Sequence, residues 1–263
     1  MKQRIVTGII GGAAFISILY YGGILFASLI SLLAIVAFSE LLKMTKMKMW
    51  SVPGLISVTG MILPILASFV FQLKPSFFHS YENMLITVML ILLIMIVLSK
   101  NQFTFEQAGV CIAGIVYIGM GFYSIISIRE FSGLSYFIFV LILIWTTDSA
   151  AYFTGKSFGK TKLWPSISPN KTIEGSLGGV VFAILVGVLF KMVQPGFLDW
   201  TQVITLSALV SIVGQLGDLV ESAIKRHFDV KDSGSILPGH GGILDRFDSQ
   251  IFVFLALYLL QKI

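Results

Sequence analysis

The sequence predicts an all-α, polytopic membrane protein with about nine transmembrane helices and a cytoplasmic N-terminus. Of its 263 residues, 56% are hydrophobic and only 12% charged, against roughly 25% charged in a soluble domain. The mean hydropathy is +0.93. Apolar runs of about 20 residues, the length that crosses a bilayer as a helix, recur from end to end. No polar stretch is long enough for a separate soluble domain, so 1–263 reads as one membrane domain, with 1–130 a helical scaffold and 131–263 the part that carries most of the unusual polar residues.

The expected spans, in order, are 5–21, 23–42, 52–72, 83–99, 107–128, 132–152, 176–194, 200–224 and 243–261. The first follows Met1-Lys-Gln-Arg, as a signal peptide would, but no small-residue cleavage site follows it, so it reads as a retained helix. Gly22-Gly23 separates the first two spans so tightly that they are expected to form a helical hairpin. Glu40, near the end of the second, reads as helix-end structure or as support for a site. Cys111 is the single cysteine, so no internal disulfide can form, and it reads as a small core residue. The eighth span ends in charge and the ninth begins with it.

With the N-terminus in the cytoplasm, only Lys74, Arg129, Lys191 and Lys262 fall on the far side, which leaves fourteen of the 18 Lys and Arg inside. That bias has the sign of the positive-inside rule and fits an odd number of spans. The net charge of +5 then reflects basic loops facing anionic headgroups, and nucleic acid is not an expected partner.

The densest polar segment is Ser222 to Asp248, which holds Lys225, Arg226, Asp229, Lys231, Asp232, Asp245, Arg246 and Asp248 together with four glycines and a proline. Charge at a membrane is costly and marks a functional site by default. Just upstream, Asp218, Glu221, Ser222, Lys225 and Arg226 are spaced to share one helix face. They form either an internal ladder of ion pairs or a site, and an aspartate as deep as Asp218 needs a partner or a cation. Asp245 and Asp248 open the ninth span, where the helix dipole favours one carboxylate. Two repel, and a divalent cation relieves the repulsion. Mg²⁺ takes one or two carboxylates plus substrate phosphates and waters. Asp218 and Asp245 are therefore the expected principal metal ligands, with Asp248 and the intramembrane Asp148 as further candidates.

The link Leu237-Pro-Gly-His-Gly-Gly242 is either an ordinary tight loop or a cradle whose amides hold anionic oxygens, with His240, Gly241 and Gly242 as contacts. Residues 154–175 are expected to form a basic cytoplasmic loop. Gly155-Lys156-Ser157 is not a P-loop, because residue 150 is alanine and a membrane helix precedes the triplet. Lys171 and Thr172, with Glu174, could touch a phosphate at the start of the seventh span, or Lys171 could simply supply positive-inside charge.

The terminal segment resembles the phosphatidate cytidylyltransferases, also called CDP-diacylglycerol synthases. Their signature runs Ser, two residues, Lys-Arg, four residues, Lys-Asp, a spacer, Pro-x-His-Gly-Gly, two residues, Asp-Arg-x-Asp. It is met by Ser222, Lys225, Arg226, Lys231, Asp232, Pro238, His240, Gly241, Gly242, Asp245, Arg246 and Asp248 without a departure. The likeness extends to Gly217-Asp218-Leu219, to the stretch 168–175 and to Asp148-Ser-Ala-Ala-Tyr152, while the first 130 residues match only as spans.

The resemblance implies transfer of CMP from CTP to phosphatidate, giving CDP-diacylglycerol and pyrophosphate, with 131–263 as the catalytic part. It implies Mg²⁺ on Asp218 and Asp245, a monovalent cation such as K⁺ beside it, and a homodimer in the cell membrane with its site toward the cytoplasm. Lys225 and Arg226 would then act in catalysis. Lys171, Thr172, Ser222, His240, Gly241, Gly242 and Arg246 would contact substrate. A cation-coupled transporter using Asp148 and Asp218 is the rival class, but the charges gather at one face and no inverted repeat is evident. A cytidylyltransferase acting on another lipid phosphate is the rival within the class.

Overall fold

The structure, a computed structural model, describes residues 12, 15–70, 81–236 and 241–261. The first eleven residues and the stretch 237–240, which includes His240, lie outside the described residues. Residues 15–21 are helical. They are followed by α1 (Gly23–Met44), α2 (Val52–Ile65), α3 (Tyr81–Leu98), α4 (Phe105–Phe131), α5 (Gly133–Phe158), β1 (Lys162–Trp164), β2 (Ser168–Thr172), α6 (Ile173–Val193), α7 (Trp200–His227) and α8 (Leu244–Gln261).

Among the described residues, α1 to α7 are each long and apolar enough to cross a membrane, α2 being counted with the π-helical turn that prolongs it. The chain is an all-α polytopic membrane protein. Of the other two expected spans, the first is described only over residues 12 and 15–21, and α8 carries Asp245, Arg246 and Asp248 in its opening turns.

The chain divides into two compact units, Met1–Phe131 with Phe228–Arg246, and Ser132–His227 with Phe247–Ile263. In the first, residues 15–21 end at Gly22, and Gly22 and Gly23 both take positive φ (66° and 57°). Arg129 satisfies the carbonyls left open by that ending, donating to Leu19 O (2.9 Å) and Tyr20 O (3.1 Å), and Glu130 accepts from Gly23 N (2.8 Å). α4 begins with a capping box, Thr104 with Gln107. Its middle turn, Ile115–Met120, is π-helical. The Tyr81 hydroxyl donates to Ile115 O (3.2 Å) where that turn begins.

In the second unit α5 packs along α6 and α7. Phe137 stacks on Phe254 of α8, with centroids 4.6 Å apart. Gly217 lets α7 press against α8, since a Cβ there would lie 2.9 Å from Asp248 O and 3.2 Å from Ser249 Cα. Two differences from the sequence expectation bear on the site. The sixth span, expected to stop near 152, continues as helix to Phe158. The expected loop 154–175 holds an antiparallel hairpin in which Lys162 pairs with Thr172 and Trp164 with Ser168.

Candidate active site

The hairpin is held at its base by side chains that complete backbone groups. Thr172 is the N-cap of α6: its backbone is extended, and its Oγ1 accepts from Gly175 N (3.1 Å). Glu174, in the first turn of α6, accepts from Lys160 N (3.1 Å) and Thr161 N (3.1 Å) just before β1. Gly175 meets α5 closely; a Cβ there would lie 2.7 Å from Ala151 O. Thr154 of α5 crosses the same gap, its hydroxyl within 3.3 Å of Gly175 O. Lys171, the penultimate residue of β2, is thereby presented to α7.

Its Nζ lies 2.5 Å from Asp218 Oδ2, with both side chains half-buried. Ser222, one turn on, donates to Asp218 Oδ1 (3.3 Å). Asp148 of α5 and Asp248 of α8 both lie within electrostatic reach of Asp218 and of each other. Further along α7, Lys225 pairs with the fully buried Glu221. Arg226 donates from Nε to Ile167 O (3.4 Å) in the turn between the strands. The five-residue polar face of α7 thus divides its work: Asp218 meets Lys171 and Ser222, Lys225 meets Glu221, and Arg226 meets the hairpin.

Beside the Lys171–Asp218 pair lies a cavity of about 520 Å³. Asp148, Tyr152, Lys156, Lys162, Asn170, Lys171, Thr172, Gln215 and Asp218 are among the residues that line it. The volume suits a drug-sized or nucleotide-sized ligand. Lys156 Nζ stands 5.9 Å from the centre of the Tyr152 ring. Gln215, one turn before Asp218, donates to Ser176 O (3.3 Å) and Ser211 Oγ (3.4 Å). Sequence reasoning passed over Gln215, although its i−3 spacing from Asp218 puts it on the same face.

Asp245, Arg246, Gly241 and Gly242 belong to the first unit. Asp245 Oδ2 accepts from Ser233 N (2.9 Å), Ser233 Oγ (2.9 Å) and Gly242 N (2.8 Å). Gly241 has φ +79°, and a Cβ there would lie 2.8 Å from Asp245 Oδ2. Arg246 is exposed.

Carboxylate oxygens are hard donors suited to Mg²⁺. Among the described residues no three or more His, Cys, Asp or Glu form a cluster that could hold a metal ion. Asp218 already contacts one cation, the Lys171 ammonium, at the wall of the cavity. The residues therefore fit Mg²⁺ in its usual mode, in which one or two carboxylates bind and substrate phosphates and waters complete the shell. They do not form an all-protein cage. Lysines beside a nucleotide-sized cavity can bind a polyphosphate and screen its charge, and a carboxylate among them can hold an accompanying cation.

The sequence profile of the cytidylyltransferase family matches residues 2–263. The chain is similar to the phosphatidate cytidylyltransferase of Bacillus subtilis (strain 168), 47% identical over 266 residues that cover 99% of this chain and 97% of the relative. It is also similar to the enzymes of that name from Staphylococcus epidermidis (46% identical) and Staphylococcus aureus (44% identical), each match covering 99% of this chain and 98% of the relative. The chain belongs to the cytidylyltransferase family.

Proposed function

We propose that this chain transfers CMP from CTP to phosphatidate, forming CDP-diacylglycerol and pyrophosphate. The Lys171–Asp218 pair at the wall of a cavity lined in part by charged side chains carries this reading, because it joins a phosphate-binding cation to a candidate metal ligand at one place. The relatives' names supply the substrate.

An oxygen of the phosphatidate phosphate attacks the α-phosphorus of CTP in line. A P–O bond forms there as the bond to the β-phosphate oxygen breaks, and pyrophosphate departs with that electron pair. The attacking phosphate is already anionic, so no side chain is required as nucleophile. Lys171 shifts from Asp218 to a substrate phosphate. Lys156 and Lys162 screen the triphosphate along the cavity wall, and Arg226 and Arg246 suit bidentate phosphate contacts. Mg²⁺, when bound, neutralises charge on the phosphates. Asp218, with Asp148 or Asp248, would hold it from within the second unit, and Asp245 enters from the signature alone. A K⁺ ion, a homodimer and a cytoplasm-facing site complete the proposal on the same resemblance, with the positive-inside bias supporting the orientation.

Position-specific labelling of CTP tests it. Label in the α-phosphate should enter the lipid, and label in the γ-phosphate should leave as pyrophosphate. Lipid labelled from the γ-phosphate would mean phosphoryl transfer and overturn the reading. Transfer to a different lipid phosphate in preference to phosphatidate would correct the acceptor.

A further inference from the structure

Glu40, far from the Lys171–Asp218 cavity in sequence, is fully buried on α1. A carboxylate buried without partners costs several kcal/mol. Its partners come from the segment about 200 residues later. Ile243 N donates to Oε1 (3.0 Å), Leu244 N to Oε2 (2.9 Å), and Ser233 Oγ lies 3.1 Å from Oε2. Leu244 is the first residue of α8, so these amides belong to the set that has no acceptor within the helix, at the end where the dipole favours negative charge. Glu40 is thus an N-cap for α8 supplied by a different helix. Backbone packs directly on its carboxyl: a Cβ at Gly234 or at Gly242 would each lie 2.7 Å from Glu40 Cδ.

The same hydroxyl joins Glu40 to Asp245. Ser233 Oγ is 3.1 Å from Glu40 Oε2 and 2.9 Å from Asp245 Oδ2, and it accepts from Asp245 N (3.3 Å). Gly242, against Glu40, gives its amide to Asp245 Oδ2. Glu40 therefore fixes the residues on both sides of Asp245's hydrogen-bond set.

We infer that Glu40 is a positioning residue for Asp245, holding Ser233 and residues 242–244 so that the Asp245 carboxylate keeps one orientation for the reaction. This rests on the cytidylyltransferase reading and on Asp245 as a ligand of the catalytic cation. Glu40→Gln nearly preserves shape but sets an NH₂ group against backbone amides that need an acceptor. Loss of an outer partner of a metal ligand typically costs 10–100-fold in metal affinity or activity.

The test uses the full-length protein in detergent, with Glu40→Gln, Ser233→Ala and the double variant. CMP transfer is titrated with Mg²⁺, and amide hydrogen exchange is followed over residues 241–246. Glu40→Gln is expected to raise the Mg²⁺ concentration for half-maximal activity and to lower kcat by about 10-fold or more, leave the KM for CTP within about 3-fold, and speed exchange at 241–246. Ser233→Ala should act in the same direction, and the double variant should fall short of the product of the two. Loss of stability with an unchanged Mg²⁺ half-point in the folded fraction would make Glu40 merely structural and overturn the inference. Should Glu40→Gln not fold, Ser233→Ala decides by the same Mg²⁺ half-point. Absence of CMP transfer by the wild type would defeat the functional reading instead, and the exchange result alone would then decide whether Glu40 holds the segment.

Discussion

Lys171 Nζ rests 2.5 Å from Asp218 Oδ2, joining the end of β2 to the C-terminal part of a membrane-length helix. Neither charge is bare, and the carboxylate already has a cation that a divalent ion could replace. In the proposed mechanism, a divalent ion on Asp218 would free Lys171 for a phosphate. Lys171→Ala is therefore expected to raise the KM for CTP by about 10-fold, the worth of one charge-assisted hydrogen bond, with a smaller effect on kcat. Steady-state kinetics at saturating phosphatidate measures this. An unchanged CTP dependence would return Lys171 to the role of a basic loop residue.

Asp218→Asn keeps the side chain's shape and removes its charge. The account expects loss of CMP transfer by about 100-fold or more, the scale on which single charge-stabilising groups contribute to catalysis. The variant should elute and melt like the wild type, since Asp218 is only half-buried and Asn can still accept from Ser222. Activity within a few-fold of wild type would remove Asp218 from the site.

Gly241 and Gly133 make a matched pair. Both have positive φ, +79° and +84°, but a Cβ meets Asp245 Oδ2 at 2.8 Å in the first and nothing within 4 Å in the second. Alanine at either should cost about 1–2 kcal/mol of backbone strain, read as a lower melting temperature. Only Gly241→Ala should also depress turnover of the folded protein, because only there does the methyl displace a proposed ligand. Equal turnover in the two variants would separate Asp245 from the chemistry.

Thr172 tests the hairpin's anchor. Thr172→Ala removes the cap of α6 and should cost about 1 kcal/mol in stability, while Thr172→Ser retains the hydroxyl and should recover most of it. The melting temperatures of the two variants decide between a cap and a residue whose loss the helix tolerates.

Much of this molecule was legible in the sequence because the bilayer imposes length and composition on every span. The grouping of Asp218, Ser222, Lys225 and Arg226 followed from helical spacing alone. The partners of Asp218 and Arg226 across the fold did not, because Lys171 and Ile167 reach them through tertiary folding. The hairpin was hidden because its strands are three and five residues long and largely polar, with no alternation to betray them. The π-helical turn at Ile115–Met120 left no sign, and the Tyr81 hydroxyl that bonds its first carbonyl comes from another helix. Glu40 read only as helix-end structure or support for a site; that it caps the end of α8 is visible only in space, because no local pattern links it to Ser233 or Leu244.

If the charged groups around Asp218 serve a metal-assisted CMP transfer, the reaction needs both that carboxylate and a divalent ion. The most direct test incubates the purified wild type and Asp218→Asn with α-labelled CTP and phosphatidate, in Mg²⁺ and in EDTA. Labelled CDP-diacylglycerol is expected from the wild type in Mg²⁺ only, and almost none from Asp218→Asn. Equal product in EDTA, or none from a folded wild type with any lipid phosphate, would contradict that role.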